Sequence, residues 1–457
     1  MDRRIAAGAL VAAALVAVLY VLAPDARLGY DTAYQLVWGR ELLDGQLPQY
    51  DVRLAPTPHP LQVLVAAPLS LLGQGADEAM RVVSLLALAL LALALYRIGA
   101  LLFCRPVGAL AAAVLITRPH LIELAYLGDA DVPAAALAAW AGALALARRP
   151  TAALALLALA GLLRPEAWLL SAAYVAWLAR EHEWGLTPCM LAAAGPVLWA
   201  LSDLAVTGDA LWSLHHTRTG TDVLDRPTGA REAVEQLPRH LHFLLGASAL
   251  VVGLLGFVLG LVAARRRMWG LVAVIVLLGG GFLALALAGL SLQPRYLAGL
   301  AAAIAVCAGI GGLGWLVVDD AWRTRWRAAG LAGLVLLVAG LPFDAAEYGD
   351  VRGRVVDDGR LLEQLARDGA IRDCGPVAVP TIRPIPYLAL WTGAEPDAFV
   401  EAGGTPPAAG TLLTPTATSE SWAGGGGAGQ PPRVLPPVPA GYAEVAANAA
   451  WRVYATC

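Results

Sequence analysis

What most restricts this chain is the recurrence of one kind of segment, an apolar stretch long enough, or nearly so, to cross a bilayer. Such stretches begin near Ile5, Met80, Val107, Val132, Thr151, Trp168, Thr187, Leu241, Trp269, Tyr296 and Ala328. A crossing helix needs roughly 20 predominantly apolar residues. Backbone in hydrocarbon has no water to bond, so each stretch must be helical. About eleven transmembrane helices are expected, in a mainly α, polytopic membrane protein. The Thr151 run is the shortest, since it meets Arg164-Pro165-Glu166. Leu61 to Leu72 is shorter still and is assigned to an interfacial or re-entrant helix. The composition agrees: 58% of the 457 residues are hydrophobic and 15% charged, a balance foreign to soluble domains. No convincing small-residue cleavage site precedes Asp25, so residues 1–24 read as a retained span.

Arginine gives the spans a direction, because the chain contains no lysine. Arg3-Arg4, Arg105, Arg148-Arg149, Arg180, Arg265-Arg266-Arg267 and Arg323/Arg325/Arg327 fall on alternate turns. The positive-inside rule makes that side cytoplasmic. The N-terminus is then cytoplasmic and, after eleven crossings, the C-terminal region is extracytoplasmic, in a multi-pass protein of the plasma membrane. A net charge of −3 without a basic stripe argues against a nucleic-acid partner.

Two domains follow. Residues 1–343 form the membrane domain, with external loops 25–60, 125–132 and 207–239. Within the first loop, residues 31–43 fit an amphipathic helix lying on the membrane, with Tyr34, Trp38 and Leu42 on one face. Residues 344–457 form a small α/β domain. In it 357–367 reads as a helix, Pro376–Val379 and Trp451–Tyr454 read as strands, and 403–441 is a loose Gly/Pro-rich loop. None of the five cysteines forms a C-x-x-C pair, which argues against a thiolate zinc site. Cys374 and Cys457 are the candidate disulfide of an exported domain.

Few residues in such a chain can carry chemistry. Asp129 and Asp131 lie in a polar break, Tyr126-Leu-Gly-Asp-Ala-Asp-Val132, between two apolar stretches. Carboxylates beside a span are costly and are usually functional. Hard cations prefer such oxygens, so this pair is the candidate site for a divalent cation, Mg or Mn. The bland alternative is that Asp131 caps a helix and Asp129 is solvated. Asp31, on the same expected side, is either a helix N-cap or a general base that takes a proton from an attacking hydroxyl. Arg118, Arg164 and Arg295 lie at outer span ends, against the charge bias. A guanidinium fork there suits a phosphate, although snorkelling to lipid headgroups serves as well. Glu166 is placed to pair with Arg164. His59, set among Pro56, Pro58 and Pro60, and Tyr296, beside Arg295, complete the substrate-binding candidates. The remaining histidines lack zincin spacing, and no nucleophile-elbow, Walker or Rossmann motif is present.

Several stretches carry a resemblance. Gly29-Tyr-Asp-Thr-Ala-Tyr34 with Trp38-Gly-Arg-Glu-Leu-Leu-Asp-Gly-Gln-Leu-Pro48, Gly128-Asp-Ala-Asp-Val-Pro133, Leu163-Arg-Pro-Glu-Ala-Trp168 and Pro294-Arg-Tyr-Leu297 together resemble the GT-C superfamily of polytopic glycosyltransferases, the protein mannosyltransferase and aminoarabinose transferase type. The resemblance runs from about Ile5 to Phe343 and into the external tail. The first loop departs from it, with one acid where many members carry two. The resemblance implies a GT-C fold and inverting transfer of a sugar from a polyprenyl-phosphate donor, with Asp31 as base and Arg164 or Arg295 on the lipid phosphate. The implied acceptor is a glycan, lipid or protein at the extracytoplasmic face. Two other classes stand beside it: a transporter or flippase of envelope lipids, and a non-catalytic scaffold of envelope assembly. A transporter would place charges mid-span, and the central thirds of these spans are nearly free of them.

Overall fold

The computed structural model describes residues 3–183, 185–356, 359–371, 375–402, 407–416 and 438–456. Cys374, Cys457 and much of the 403–441 stretch lie outside these residues, and the expected disulfide lies there with them. The helices among the described residues are α1 (Arg3–Leu22), α2 (Tyr30–Leu43), α3 (Pro60–Ser70), α4 (Ala76–Leu102), α5 (Arg105–Ile116), α6 (Pro119–Leu127), α7 (Asp131–Leu146), α8 (Pro150–Gly161) and α9 (Glu166–Arg180). They continue as α10 (Leu186–Thr207), α11 (Trp212–Val223), α12 (Ala230–Ala263), α13 (Arg265–Leu287), α14 (Ala298–Leu313), α15 (Asp320–Val355), α16 (Gly359–Arg367) and α17 (Ile385–Thr392). Among the described residues six helical segments are long and apolar enough to cross a membrane, and the bent pair α5/α6, taken as one span, makes a seventh. Shorter apolar helices include α3, α7 and α8.

The chain packs as two compact units. One holds residues 1–24, 59–62 and 81–353; the other holds 25–58, 63–80 and 354–457. The segment 25–58 therefore packs with the C-terminal α/β region.

In the first unit α14 is buried along nearly its whole length. Its sequence, Ala298-Gly-Leu-Ala-Ala-Ala-Ile-Ala-Val-Cys-Ala-Gly-Ile-Gly-Gly, explains why. Small residues let helices approach closely where no hydrophobic effect drives them together. A Cβ on Gly256 of α12 would sit 1.9 Å from the Cys307 carbonyl oxygen, and one on Gly309 would sit 2.5 Å from that of Val107 in α5. Two helices in this unit are broken. The expected span from Val107 bends by 65° between α5 and α6. Gly246 interrupts α12 with φ +70° and ψ 165°. Arg118 serves both breaks. Its Nη1 donates to the Leu245 carbonyl at 2.6 Å and its Nε to that of Val114 at 3.1 Å, while Nη2 meets Asp344 at 2.5 Å. Only 1% of Arg118 is exposed, so this candidate for phosphate or headgroups is a buried clamp instead.

The second unit is built on a five-stranded sheet: β1 (Val377–Val379), β2 (Phe399–Glu401), β3 (Gly410–Pro415), β4 (Ala443–Ala447) and β5 (Trp451–Thr456). The order is β2-β1-β3-β5-β4, parallel around β1 and antiparallel from β3 onward. Against expectation α2 does not lie on a surface with one apolar face. Thr32 through Gly39 are all buried, and Leu42 is 40% exposed. The reason is cover on several sides. Gly39 presses on the Ala66–Ala67 backbone of α3, where a Cβ would come within 2.6 Å. Tyr30, Tyr34, Trp38 and Tyr50 form a ring-to-ring series at 5.1, 5.3 and 4.8 Å. Both ends of α17 are tied to this region: Tyr387 donates to the Leu28 carbonyl at 2.9 Å, and Arg40 donates to the Ala389 and Ala394 carbonyls, each at 2.9 Å.

Candidate functional site

The acidic loop owes its shape to one glycine. Gly128 ends α6 in the left-handed region at φ 74°, a conformation that costs glycine little. The Asp129 N–H then donates back to the Leu124 carbonyl at 3.0 Å, and α7 begins at Asp131. Both aspartates are 5% exposed. Neither half of the bland reading survives: Asp131 caps nothing, since Ala130 is the N-cap and no side-chain cap bond forms, and Asp129 is buried rather than solvated.

The turn between α8 and α9 supplies Arg164 and Glu166. Arg164 binds Glu166 through both forks, Nη2 at 2.6 Å and Nε at 3.2 Å, and its Nε lies 3.4 Å from Asp131. The guanidinium also lies 4.0 Å over the Tyr296 ring. Burial opposes its charge, but Glu166 and Asp131 outweigh that cost and hold its proton more tightly than usual. A 3₁₀ turn, Pro294–Leu297, leads into α14 and supplies Arg295 and Tyr296. Arg295 Nη1 lies 3.3 Å from Asp129, and its Nε lies 3.9 Å from Asp131. Neither of these contacts is as short as the 2.6 Å pair of Arg164 with Glu166, and the Arg295 side chain is more exposed, 23% against 13%.

Six expected residues thus meet in one cluster: Asp129, Asp131, Arg164, Glu166, Arg295 and Tyr296. His59 packs in the same unit, its ring edge-on to Trp199 at 5.9 Å. The sequence reading missed what stands behind that tryptophan. Trp199 Nε1 donates to Ser213 Oγ at 3.0 Å, and the buried Asp203 accepts from both the Ser213 hydroxyl and its N–H at 2.9 Å. A lone aspartate inside the apolar run of α10 was the available signal. Asp31 belongs to the other unit. It lies in the first turn of α2, where the N-cap position is Gly29, so it is not the expected cap. A carboxylate there is still favoured by the helix dipole.

Among the described residues no group of three or more His, Cys, Asp or Glu side chains is arranged to hold a metal ion. The Asp129/Asp131 pair faces two guanidiniums, a donor set that suits ion pairing better than a resident cation.

No protein-family model and no curated protein sequence matches the chain. Solved structures do. ArnT from Cupriavidus metallidurans bound to undecaprenyl phosphate matches with a TM-score of 0.63 and 13% identity, over 98% of this chain and 97% of that one. The apo state of that protein matches with a TM-score of 0.56 and 14% identity over the same shares. The fold is that of the GT-C glycosyltransferases. A GT-C fold accounts for the multi-pass helices and the small sheet together, and the match runs nearly end to end in both chains.

Proposed function

We propose that this chain is a glycosyltransferase that moves a sugar from a polyprenyl-phosphate donor to a glycan, lipid or protein acceptor at the extracytoplasmic face, with inversion. The observation that carries the reading is the end-to-end likeness to ArnT, whose structure holds undecaprenyl phosphate. The orientation that goes with it, N-terminus inside and C-terminal region outside, rests on the arginine bias.

In the reaction the acceptor hydroxyl oxygen attacks the anomeric carbon, and the bond from that carbon to the phosphate oxygen breaks. The hydroxyl proton passes to the Asp31 carboxylate, and polyprenyl phosphate leaves. An arginine near the phosphate steadies the charge that develops on it. Of the two candidates we assign this role to Arg295, whose pairs with Asp129 and Asp131 are both longer than the Arg164–Glu166 pair and whose side chain is more exposed. Arg164, bound by Glu166 and Asp131, orients Tyr296 and the acidic loop. His59 and Tyr296 contribute polar contacts to the donor. Asp129 and Asp131 act as counter-ions to the arginines; transfer that stopped in EDTA and returned with Mg or Mn would overturn this assignment.

The test is transfer of label from a polyprenyl-phosphate sugar in membranes containing the full chain. Asp31→Asn should lower transfer by roughly 10²–10⁴-fold while polyprenyl-phosphate binding stays near wild type, because a base acts in the transition state. Undiminished transfer would remove Asp31 from the mechanism. Reporter fusions after Arg267 and after Phe343 check the orientation; a cytoplasmic signal at the second site would remove the case for a lipid-linked donor.

A further inference from the structure

We infer that Gln62 is a positioning residue of this site: its side-chain amide holds the Gly128 carbonyl and thereby keeps Asp129 and Asp131 in register with the two arginines. Only the binding arm of its test rests on the glycosyltransferase reading.

Residues 59–62 pack within the helical unit, although the residues on either side of them, 25–58 and 63–80, pack in the other. Prolines 56, 58 and 60 restrict the backbone of this peptide. The Gln62 N–H closes a turn on the His59 carbonyl at 2.8 Å. From that turn the peptide touches both loops that carry charge. The Leu61 N–H donates to the Leu162 carbonyl at 3.3 Å, two residues before Arg164. The Leu61 side chain packs on Ala130, between the two aspartates, and on Leu163. Gln62 Nε2 donates to the Gly128 carbonyl at 2.8 Å, one residue before Asp129.

Gly128 ends its helix in a left-handed conformation, so its carbonyl lies beyond the ladder of α6 and needs an outside donor. Gln62, 6% exposed and 66 residues away in sequence, supplies it. Without the amide the carbonyl would be left in a buried setting, and the loop would turn to find water or another donor. Such a turn moves Asp129 first. Asp129 holds Arg295 at 3.3 Å, so the consequence falls on Arg295.

The experiment uses the full chain in detergent or nanodiscs, with Gln62→Met, which keeps the length and removes the donor, and Gln62→Glu. Two quantities are read: polyprenyl-phosphate binding by tryptophan fluorescence, and amide hydrogen exchange over residues 128–131. Gln62→Met should weaken binding roughly fivefold to twentyfold, as loss of one buried hydrogen bond would, and speed exchange over 128–131. In an Arg295→Ala background it should weaken binding less than twofold further, because its effect passes through Arg295. A purely structural role would multiply the two losses instead. Gln62→Glu should resemble Gln62→Met at neutral pH and recover in acid, since only the protonated carboxyl has a hydrogen to donate. Wild-type binding in Gln62→Met, or losses that multiply, would overturn the inference. If the wild-type chain bound no polyprenyl phosphate, the glycosyltransferase reading would fail by itself. Exchange would still decide the inference, and unchanged exchange over 128–131 in Gln62→Met would overturn it.

Discussion

In the helical unit, buried charge meets buried charge. Arg118 is paired with Asp344, Arg164 with Glu166 and Asp131, and Arg295 with Asp129. In the unit built on the sheet, the polar groups of α2 go mainly to backbone carbonyls: Tyr30 to Leu54, Gln35 to Thr57, Trp38 to Gln49, and Arg40 to Ala389 and Ala394. The difference follows from what each unit is made of. Continuous apolar helices use their own carbonyls, so a charge among them can be neutralised only by another side chain. A unit of short helices, strands and turns leaves many carbonyls outside any ladder, and long polar side chains can collect them. The functional consequence is that removing one charge of these pairs in the first unit strands a second, whereas removing one of these donors of α2 leaves only a neutral carbonyl.

The largest expected effect tests that consequence directly. Asp344→Ala leaves the Arg118 guanidinium, 1% exposed, without its carboxylate beside the Gly246 break. Breaking a buried pair this way typically costs about 3–5 kcal/mol. Arg40→Leu in the other unit should cost about half as much. Unfolding of the two variants in the same detergent checks the contrast; equal losses would mean that the two units do not differ in this respect.

A smaller effect should separate the two site arginines. Arg164→Ala removes the partner of Glu166 and Asp131 and should destabilise the helical unit by about 2–3 kcal/mol, since two nearly buried carboxylates lose their counter-ion. Arg295→Ala should destabilise the unit less, by about 1 kcal/mol, because its pairs with Asp129 and Asp131 are longer than the Arg164–Glu166 pair and Arg164 stays beside Asp131. It should weaken polyprenyl-phosphate binding roughly tenfold to a hundredfold, the range of a charge-assisted hydrogen bond. The reverse pattern, with Arg164→Ala losing binding at full stability, would exchange their roles.

Much of this was legible in the sequence, for identifiable reasons. Long apolar runs announce helices whatever surrounds them. Asp129, Asp131, Arg164 and Arg295 stood out because charge at a span end has to be accounted for. The strands at Val377 and Trp451 announced themselves by alternating or β-branched residues, whereas β3 and β4 lie among Gly, Ala and Thr that also fit a turn. What the sequence hid were long-range pairings. Arg118 looked like one more interfacial arginine, because its partner Asp344 lies 226 residues away. The burial of α2 was hidden too, since its cover comes from α3 and α17, and the breaks at Thr117 and Gly246 interrupt runs that are apolar throughout. Gln62 carried no signal, because a glutamine beside an apolar run suits any interface.

One residue of α2 departs from the comparison and gives the smallest, most local prediction. Glu41 is a carboxylate on a helix whose other polar groups go mainly to backbone carbonyls. Its Oε2 accepts from the Gln49 N–H at 2.9 Å, while its Oε1 is buried with no hydrogen-bond partner among the described residues. Burial pushes its pKa from 4.5 up to about 7, against the smaller opposing effects of the Gln49 N–H and Arg40. The folded chain therefore binds a proton there that the unfolded chain releases between pH 4.5 and 7. Where the folded state binds more protons, stability falls as pH rises. The contribution is complete below the unfolded value and is lost as pH climbs to about 7, by on the order of 2 kcal/mol. Glu41→Gln keeps an acceptor for the Gln49 N–H and carries no charge to bury, so its stability should lack this descent. The gap between variant and wild type should open across that window and stay constant above it. Unfolding curves of the two full-length proteins from pH 4.5 to 8 make the measurement. Parallel curves would mean that Glu41 is solvated in the folded chain and that α2 is less enclosed than its packing indicates.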